Sequence, residues 1–264
     1  MKGKNANKRK ASNKVSPGDT EILSGIHPIR EALKAGKRKI HRIFISETGT
    51  GRRIKKIIHS ANTAEIPVEF TDTESLDTLT EYAKHQGIAA KVNPFPLKRA
   101  EDILKQIKKN SAPVFILIVD NLEDPHNLGA LVRTALCAGV DFIFIPKNRS
   151  VTPLSSVSRA SAGAMEHASI ALITNTASLI KTLKNNGFWV AGLDANGSTP
   201  LFKADLTGNI ALVVGGEHRG LRPLVRKKCD FILSLPMAGN ISSLNASVAG
   251  GIAMYEVLRQ RDVK

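Results

Sequence analysis

Three stretches of the chain gather polar side chains of the kinds that bind and orient a reacting ligand. The first, residues 119–139, reads VDNLEDPHNLGALVRTALCAG. Asp124-Pro125 makes a turn, and Asn127 stands where a helix would begin. Leu128, Leu131, Val132 and Ala135 form an apolar stripe, so Arg133 falls on the opposite side of the helical wheel. Arg133 is then either a solvated arginine or a cation aimed into a cleft. Asn127 taken alone reads as a helix cap. The second stretch, residues 212–230, is LVVGGEHRGLRPLVRKKCD. Gly215 and Gly216 let backbone approach a ligand closely. Glu217 opens the next helix, read over Arg219–Lys228, where a carboxylate suits the macrodipole. Arg219, Arg222, Arg226, Lys227 and Lys228 read as surface cations, some within reach of phosphate.

The third stretch, residues 236–261, is PMAGNISSLNASVAGGIAMYEVLRQR. Its helix reads from Ser242 to Arg261. Ser242, Ser243 or Asn245 can cap it, but one helix needs only one such cap. The excess of small polar groups therefore needs other partners. Ala249, Gly250, Gly251 and Ala253 let a neighbouring helix or backbone pack close.

Other chemistries lack their motifs. There is no GxxxxGK[ST] phosphate loop, and no GxGxxG follows a strand; Gly49-Thr50-Gly51 leads into Arg52-Arg53 instead. The histidines have no zinc-type spacing, and no Ser–His–Asp set stands out. His126 and His218 read as solvent or packing residues. Cys137 and Cys229 have no CxxC partner, so both read as small buried hydrophobes in a reducing compartment.

The elements that must position these residues are legible as hydrophobic pattern. VFILIVD, DFIFIP, FWVAGL, IALVVGG and FILSLP are nearly unbroken apolar runs, as in parallel strands buried on both faces. Helical stretches at His126–Ala138, Pro153–Ala164, Ala177–Asn186, Arg219–Lys228 and Ser242–Arg261 separate or follow them. This alternation predicts an open α/β sheet with helices on both sides. Such sheets bind ligands at the C-terminal ends of their strands, where all three polar stretches lie.

Upstream, residues 21–95 read as a smaller α/β unit. It has a helix His27–Ala35 stopped by Gly36, a strand Ile40–Ser46, a helix Arg52–Ala64 and a strand Val68–Thr71. A capping box at Thr71 and Glu74 then opens a helix, and a strand spans Gly87–Asn93. Residues 96–112 read as a connector containing a charged helix, and residues 113–264 as the second domain. Residues 1–20 carry six Lys or Arg and one acid, too little apolar surface to order themselves.

The chain has 264 residues, 42% of them hydrophobic, and a net charge of +15. A polyanion is the simplest partner for such charge, with Lys37–Arg42 and Arg52–Lys56 as candidate phosphate contacts. The longest apolar run, Val114–Val119, is too short to cross a bilayer, and the N-terminus lacks the apolar core of a secretory signal. A cytoplasmic location is expected.

The ordered set Asn127-Leu-Gly-Ala-Leu-Val-Arg133, Val214-Gly-Gly-Glu217-His-Arg-Gly220-Leu and Pro236-Met-Ala-Gly239 with Ser243-Leu-Asn245 resembles the three signature motifs of the SpoU (TrmH-type) RNA ribose 2′-O-methyltransferases of the SPOUT superfamily. SGIHPIREAL and HQGIAAKVNP resemble the substrate-binding domain of the branch that methylates a guanosine of 23S ribosomal RNA. The resemblance implies a mostly parallel sheet with a deep trefoil knot, preceded by a small ribosomal-protein-like α/β domain. It also implies a homodimer, S-adenosylmethionine as methyl donor, RNA as partner, and neither metal nor membrane. By the same resemblance Gly215, Gly216, Leu235, Met237 and Leu244 should line the cofactor site. Asn127, Arg133, Glu217, Ser243 and Asn245 should form the catalytic constellation. The family assigns proton removal to the arginine, yet a guanidinium with a pKa above about 12 is a poor base. Phosphate binding and stabilisation of a developing alkoxide is the alternative role. Transfer RNA is the alternative substrate. An RNA-binding or assembly protein without catalysis is the alternative class, and a dinucleotide oxidoreductase a distant third.

Overall fold

A computed structural model describes residues 20–49, 51–148, 150–217, 220–240 and 242–262. The basic arm before Thr20, and His218 and Arg219, lie outside the described residues. In chain order the first part comprises β1 (Glu21–Ser24), α1 (Ile26–Ala35), β2 (Ile40–Ser46), α2 (Arg52–Thr63), β3 (Val68–Thr71), α3 (Thr73–Leu79) and β4 (Ile88–Val92). Its sheet runs β1-β4-β2-β3, with β4 antiparallel to both neighbours and β2 parallel to β3. Helix α1 stops at Gly36, which takes a left-handed φ of 59° and returns its N–H to the Ala32 carbonyl. A side chain would strain that turn. Helix α2 buries Ile54, Ile57 and Ala61 and leaves Arg52, Arg53, Lys55 and Lys56 exposed. The cap of α3 is not a box at Thr71 and Glu74. Thr71 is held in the β2–β3 ladder, so Asp72 takes the cap and accepts from the Ser75 N–H at 2.7 Å.

The second part contains α4 (Ala100–Ile107), β5 (Phe115–Asp120), α5 (Pro125–Cys137), β6 (Phe142–Pro146), α6 (Ser155–Ala160), β7 (Ile170–Ile173) and α7 (Thr176–Lys184). It continues with β8 (Trp189–Leu193), β9 (Thr199–Pro200), β10 (Ile210–Gly215), α8 (Pro223–Lys228), β11 (Phe231–Ser234) and α9 (Ala246–Asp262). Its seven strands are all parallel, in the order β7-β6-β5-β10-β8-β11-β9. Parallel strands point one way, so the connections leaving β5, β8, β10 and β11 emerge at one rim. Alternate residues of β5 and β10 feed two apolar layers. Leu117, Val119, Leu212 and Val214 face α5 and α9; Ile116, Ile118 and Val213 face α4, α7 and α8. The segment read as a connector is packed on that second layer through Ile103 and Ile107.

Two glycines allow the close helix contacts. A Cβ at Gly250 of α9 would lie 2.5 Å from Leu131 of α5, and one at Gly129 of α5 would lie 2.4 Å from Ala160 of α6. Several expected boundaries move. Helix α9 starts at Ala246, not Ser242, so Ser243 and Asn245 precede it. Helix α8 starts at Pro223 because Arg222, the residue before proline, is extended. The stretch Pro153–Ala164 contains α6 and then a 3-10 turn, Ala164–His167. Strands β7 and β9 have no counterpart in the sequence reading.

The two parts meet through a buried ion pair. The Arg38 guanidinium binds both Glu166 oxygens at 2.7 Å, and each side chain is only 1% exposed. Arg38 also pairs with Glu21, donates to the Asn93 carbonyl at 3.2 Å and stacks 5.5 Å from the Phe95 ring centre. Ser158 donates to Glu166 at 2.6 Å, and Lys37 donates to the His167 carbonyl at 2.6 Å. Within the stretch Lys37–Arg42, Arg38 is thus buried in the junction, Lys37 is exposed and bridges to it, and Arg42 is paired with Glu69.

Cys137 is exposed at the end of α5, contrary to its reading as a buried hydrophobe, because it lies beyond the apolar stripe. Cys229 is partly buried, and burial, aided by the charges of Asp230 and Asp120, pushes its thiol up to about 12. At pH 8 its thiolate fraction is lower than an ordinary cysteine's by on the order of a thousandfold. One thiol per chain should therefore react rapidly with Ellman's reagent in the folded protein, and two in denaturant. Rapid reaction of both in the folded state would contradict this assignment.

Candidate active site

At the rim where β8, β10 and β11 end, the chain encloses a cavity of about 300 Å³. Leu193, Leu233, Leu235, Met237 and Leu244 supply apolar walls, and Gly215 and Gly216 supply backbone. Asp194, Asn196, Glu217 and Ser243 bring polar groups to the same cavity. All five residues expected at a cofactor thus line it. The two glycines have a further reason to lack side chains. A Cβ on Gly215 would lie 2.3 Å from the Gly220 carbonyl carbon, and one on Gly216 would lie 2.0 Å from the Asn121 carbonyl oxygen. Gly215 thus lets its own connection fold back on itself, and Gly216 lets that connection touch the one after β5, beyond any approach to a ligand.

Beside the cavity, three connections are tied through one amide. Asn127, in the first turn of α5, donates from Nδ2 to the Glu217 carboxylate. Its Oδ1 accepts from Asn245 Nδ2 at 3.0 Å, and the Ser247 hydroxyl lies between Asn245 Oδ1 at 2.6 Å and Asn127 Oδ1 at 3.2 Å. Asn245 in turn caps α9: its Oδ1 accepts from the Ser247 N–H at 2.9 Å and the Val248 N–H at 3.3 Å. The surplus of small polar residues before α9 is thereby explained. Asn245 caps, Ser247 links, and Ser243 faces the cavity. Asn127 is not a cap, because Asp124 holds that place and accepts from the His126 N–H at 2.9 Å. Glu217 is not at a helix start either, since it sits in a turn six residues before α8.

Arg133 stands apart from this group. It is exposed on α5 and lines a separate cleft with Arg30, Glu31, Leu136 and His167. Asn127 and Arg133 are six residues apart on one helix, about 240° around its axis and about 9 Å along it. Within one chain the arginine does not reach Asn127. Arg222, read as a surface cation, is instead paired with the fully buried Asp120, whose carboxylate also accepts from Thr176 at 3.1 Å. Sequence reasoning also missed Leu193, Asp194 and Asn196. Their signal is the DANG turn after the apolar run FWVAGL, a fourth connection at the same rim, leading from β8 to β9.

Comparison with known proteins decides the family. Residues 114–255 match the model of the SpoU rRNA Methylase family, and residues 22–98 match the RNA 2'-O ribose methyltransferase substrate binding model. The chain belongs to the SpoU methylase family. A TrmH-family tRNA/rRNA methyltransferase, by name, of Staphylococcus aureus is 43% identical over 240 residues, covering 91% of this chain and 96% of its own length. A namesake from Staphylococcus saprophyticus is 39% identical over 241 residues, 91% of this chain and 96% of its own. The SpoU methyltransferase AviRb from Streptomyces viridochromogenes, crystallised with AdoMet, shares the fold, with a TM-score of 0.75 at 21% identity over 92% of this chain and 90% of that one. A TrmH/SpoU tRNA modifying enzyme from A. aeolicus matches 61% of this methylase and 84% of its own chain, with a TM-score of 0.52 at 29% identity. As a SpoU methylase, the chain is an S-adenosylmethionine-dependent RNA ribose 2′-O-methyltransferase. The cavity suits that cofactor: aliphatic walls and the backbone at Gly215 and Gly216 match a flat, largely apolar adenine.

Proposed function

We propose that this methylase modifies the 2′-hydroxyl of a guanosine ribose in 23S ribosomal RNA, acting in the cytoplasm as a homodimer. The observation that carries the catalytic reading is the convergence of Asn127, Glu217 and Asn245 from three connections beside one cavity. Residues 113–264 serve as the knotted methyltransferase domain, and residues 21–95 as the RNA-gripping domain. Residues 96–112 join them, and the arm 1–20 adds positive charge.

When bound, S-adenosylmethionine supplies an electrophilic methyl group on a sulfonium. Gly215, Gly216, Leu235, Met237 and Leu244 hold its adenosine portion and fix the direction of the methyl. Ser243 faces the incoming ribose. Asn127 and Glu217 hold the rim connections in register, and Asn245 fixes the start of α9. Alignment of oxygen, carbon and sulfur supplies much of the rate. Arg133 comes from the partner subunit in this reading, binds the phosphate beside the target ribose and stabilises negative charge growing on the 2′-oxygen. Water receives the hydroxyl proton. The dimer is supported by α9, where Val248, Ile252 and Tyr255 form one stripe with exposures of 49%, 36% and 50%. These residues lie at helical spacing beside α5, the helix that carries Arg133.

Ribosomal RNA is favoured over transfer RNA by the added substrate-binding domain at residues 22–98; the A. aeolicus tRNA-modifying enzyme matches only 61% of this chain. Mapping 2′-O-methyl sites in total RNA from cells with and without the protein tests the reading. Loss of one 23S guanosine methyl is expected. Loss of a transfer RNA site would transfer the proposal to that substrate, and an unchanged map would overturn it.

A further inference from the structure

Between the N-terminal domain and helices α5 and α6 lies a second cleft, of about 400 Å³. Ser24, Pro28 and Ala160 contribute to its wall, and His27, Lys84 and Arg159 bring basic groups. No carboxylate lines it. Arg159 is partly buried there and donates from Nη1 to the buried Ser24 hydroxyl at 2.8 Å. Among the described residues it has no carboxylate partner, and burial alone lowers its pKa, with no anion to oppose the shift. Removing a cation from water is costly unless an anion compensates. The guanidinium also keeps most of its five donors for a ligand.

The surroundings name the ligand. His126, the residue before Asn127, lines the same cleft, so the cleft opens next to the tied amide of the active site. His27 and Ala162 are shared with the neighbouring cleft that contains Arg30 and Arg133. The two clefts therefore adjoin along α5; in the second, Glu31 pairs with Arg30 and His167, and Arg133 adds a further cation. Burial first, then the positive charges of Arg30, Arg53 and Arg133 against the opposing charge of Glu31, holds His27 below its usual range. A phosphodiester offers two anionic oxygens in the geometry a guanidinium binds bidentately.

We infer that this inter-domain cleft is a phosphate-binding subsite for the RNA strand next to the target nucleotide, with Arg159 as the group that holds the phosphate. The inference rests on the RNA methyltransferase reading and adds a contact that neither the motifs nor the cofactor cavity supplies. It also gives the domain junction a task in binding: neither domain alone builds the subsite.

The test compares parent, Arg159→Gln, Arg159→Lys and Ser24→Ala as full-length proteins on the RNA identified by methyl mapping. For Arg159→Gln, KM for RNA should rise about tenfold, while kcat and S-adenosylmethionine uptake by calorimetry stay at the parent value. The slope of log affinity against log salt should become shallower by about 0.7 to 1. Arg159→Lys should keep the parent slope and recover part of the affinity. Ser24→Ala removes the inter-domain hydrogen bond but no charge, so it should also keep the parent slope. An unchanged KM and slope in folded Arg159→Gln would overturn the subsite. So would a slope change of the same size in Ser24→Ala, since Arg159 would then act through the domain junction. If the parent takes up no methyl donor, the enzyme reading fails instead, and the salt slopes still decide the subsite on RNA binding alone.

Discussion

Arg133→Ala should take up S-adenosylmethionine as the parent does and lose methyl transfer by about a hundredfold to a thousandfold, the usual cost of removing one group that stabilises developing charge. The cofactor half of this expectation follows from geometry: Arg133 does not line the 300 Å³ cavity. The catalytic half follows from the proposed dimer, in which the exposed α5 arginine completes the neighbouring site. Complementation separates this from an arginine acting in its own chain. Asn245→Ala breaks the tie to Asn127 and removes the cap of α9, at about 1 kcal/mol, and in the proposed constellation it is expected to abolish methyl transfer by its own chain's site. Equal amounts of the two inactive chains, unfolded and refolded together, should form heterodimers as half of the dimers. One of the two sites in each heterodimer then has both groups, so activity should return to about a quarter of the parent's. A mixture no more active than its separate components would assign Arg133 to its own chain, and loss of cofactor uptake in Arg133→Ala would make it structural.

The largest stability effect is expected at the domain junction. Arg38→Met leaves Glu166, with a side chain 1% exposed, without its counter-charge. Burial already holds the neighbouring Glu21 carboxyl above its usual range despite the arginine, with the Glu166 charge adding to the effect. Stranding a buried carboxylate costs about 3–5 kcal/mol, a large part of the total for most domains. Urea unfolding should show that loss for Arg38→Met, and Arg38→Met with Glu166→Leu should recover part of it, since the most deeply buried charge is removed while Glu21, 17% exposed, still lacks its arginine. A loss under about 1 kcal/mol for the single variant, as for a solvated ion pair, would mean that water reaches Glu166.

The sequence made the five long strands of the second sheet legible because each is buried on both faces and so reads as an unbroken apolar run. Strand β7 escaped, although Ile170–Ile173 is apolar, because four residues between a 3-10 turn and a helix carry little periodicity of their own. Strand β9 has two residues and exists only by pairing with Leu233 and Ser234. The cavity residues were legible through motif resemblance together with the rule that ligands meet parallel sheets at the strands' C-terminal ends. The roles of individual polar groups were not. Asn127 reads as a cap because its actual partners lie 90, 118 and 120 residues away. Arg38 and Arg222 read as surface charge for the same reason: local pattern carries no trace of a carboxylate brought in by the fold.

The bolted junction around Arg38 makes the protein a caliper. Two jaws joined by a stiff hinge hold a set gap, so an RNA must present its grip point and its modifiable sugar at one spacing. Choice of the target nucleotide in the proposed substrate then becomes a matter of length in three dimensions, with little need to read bases one by one.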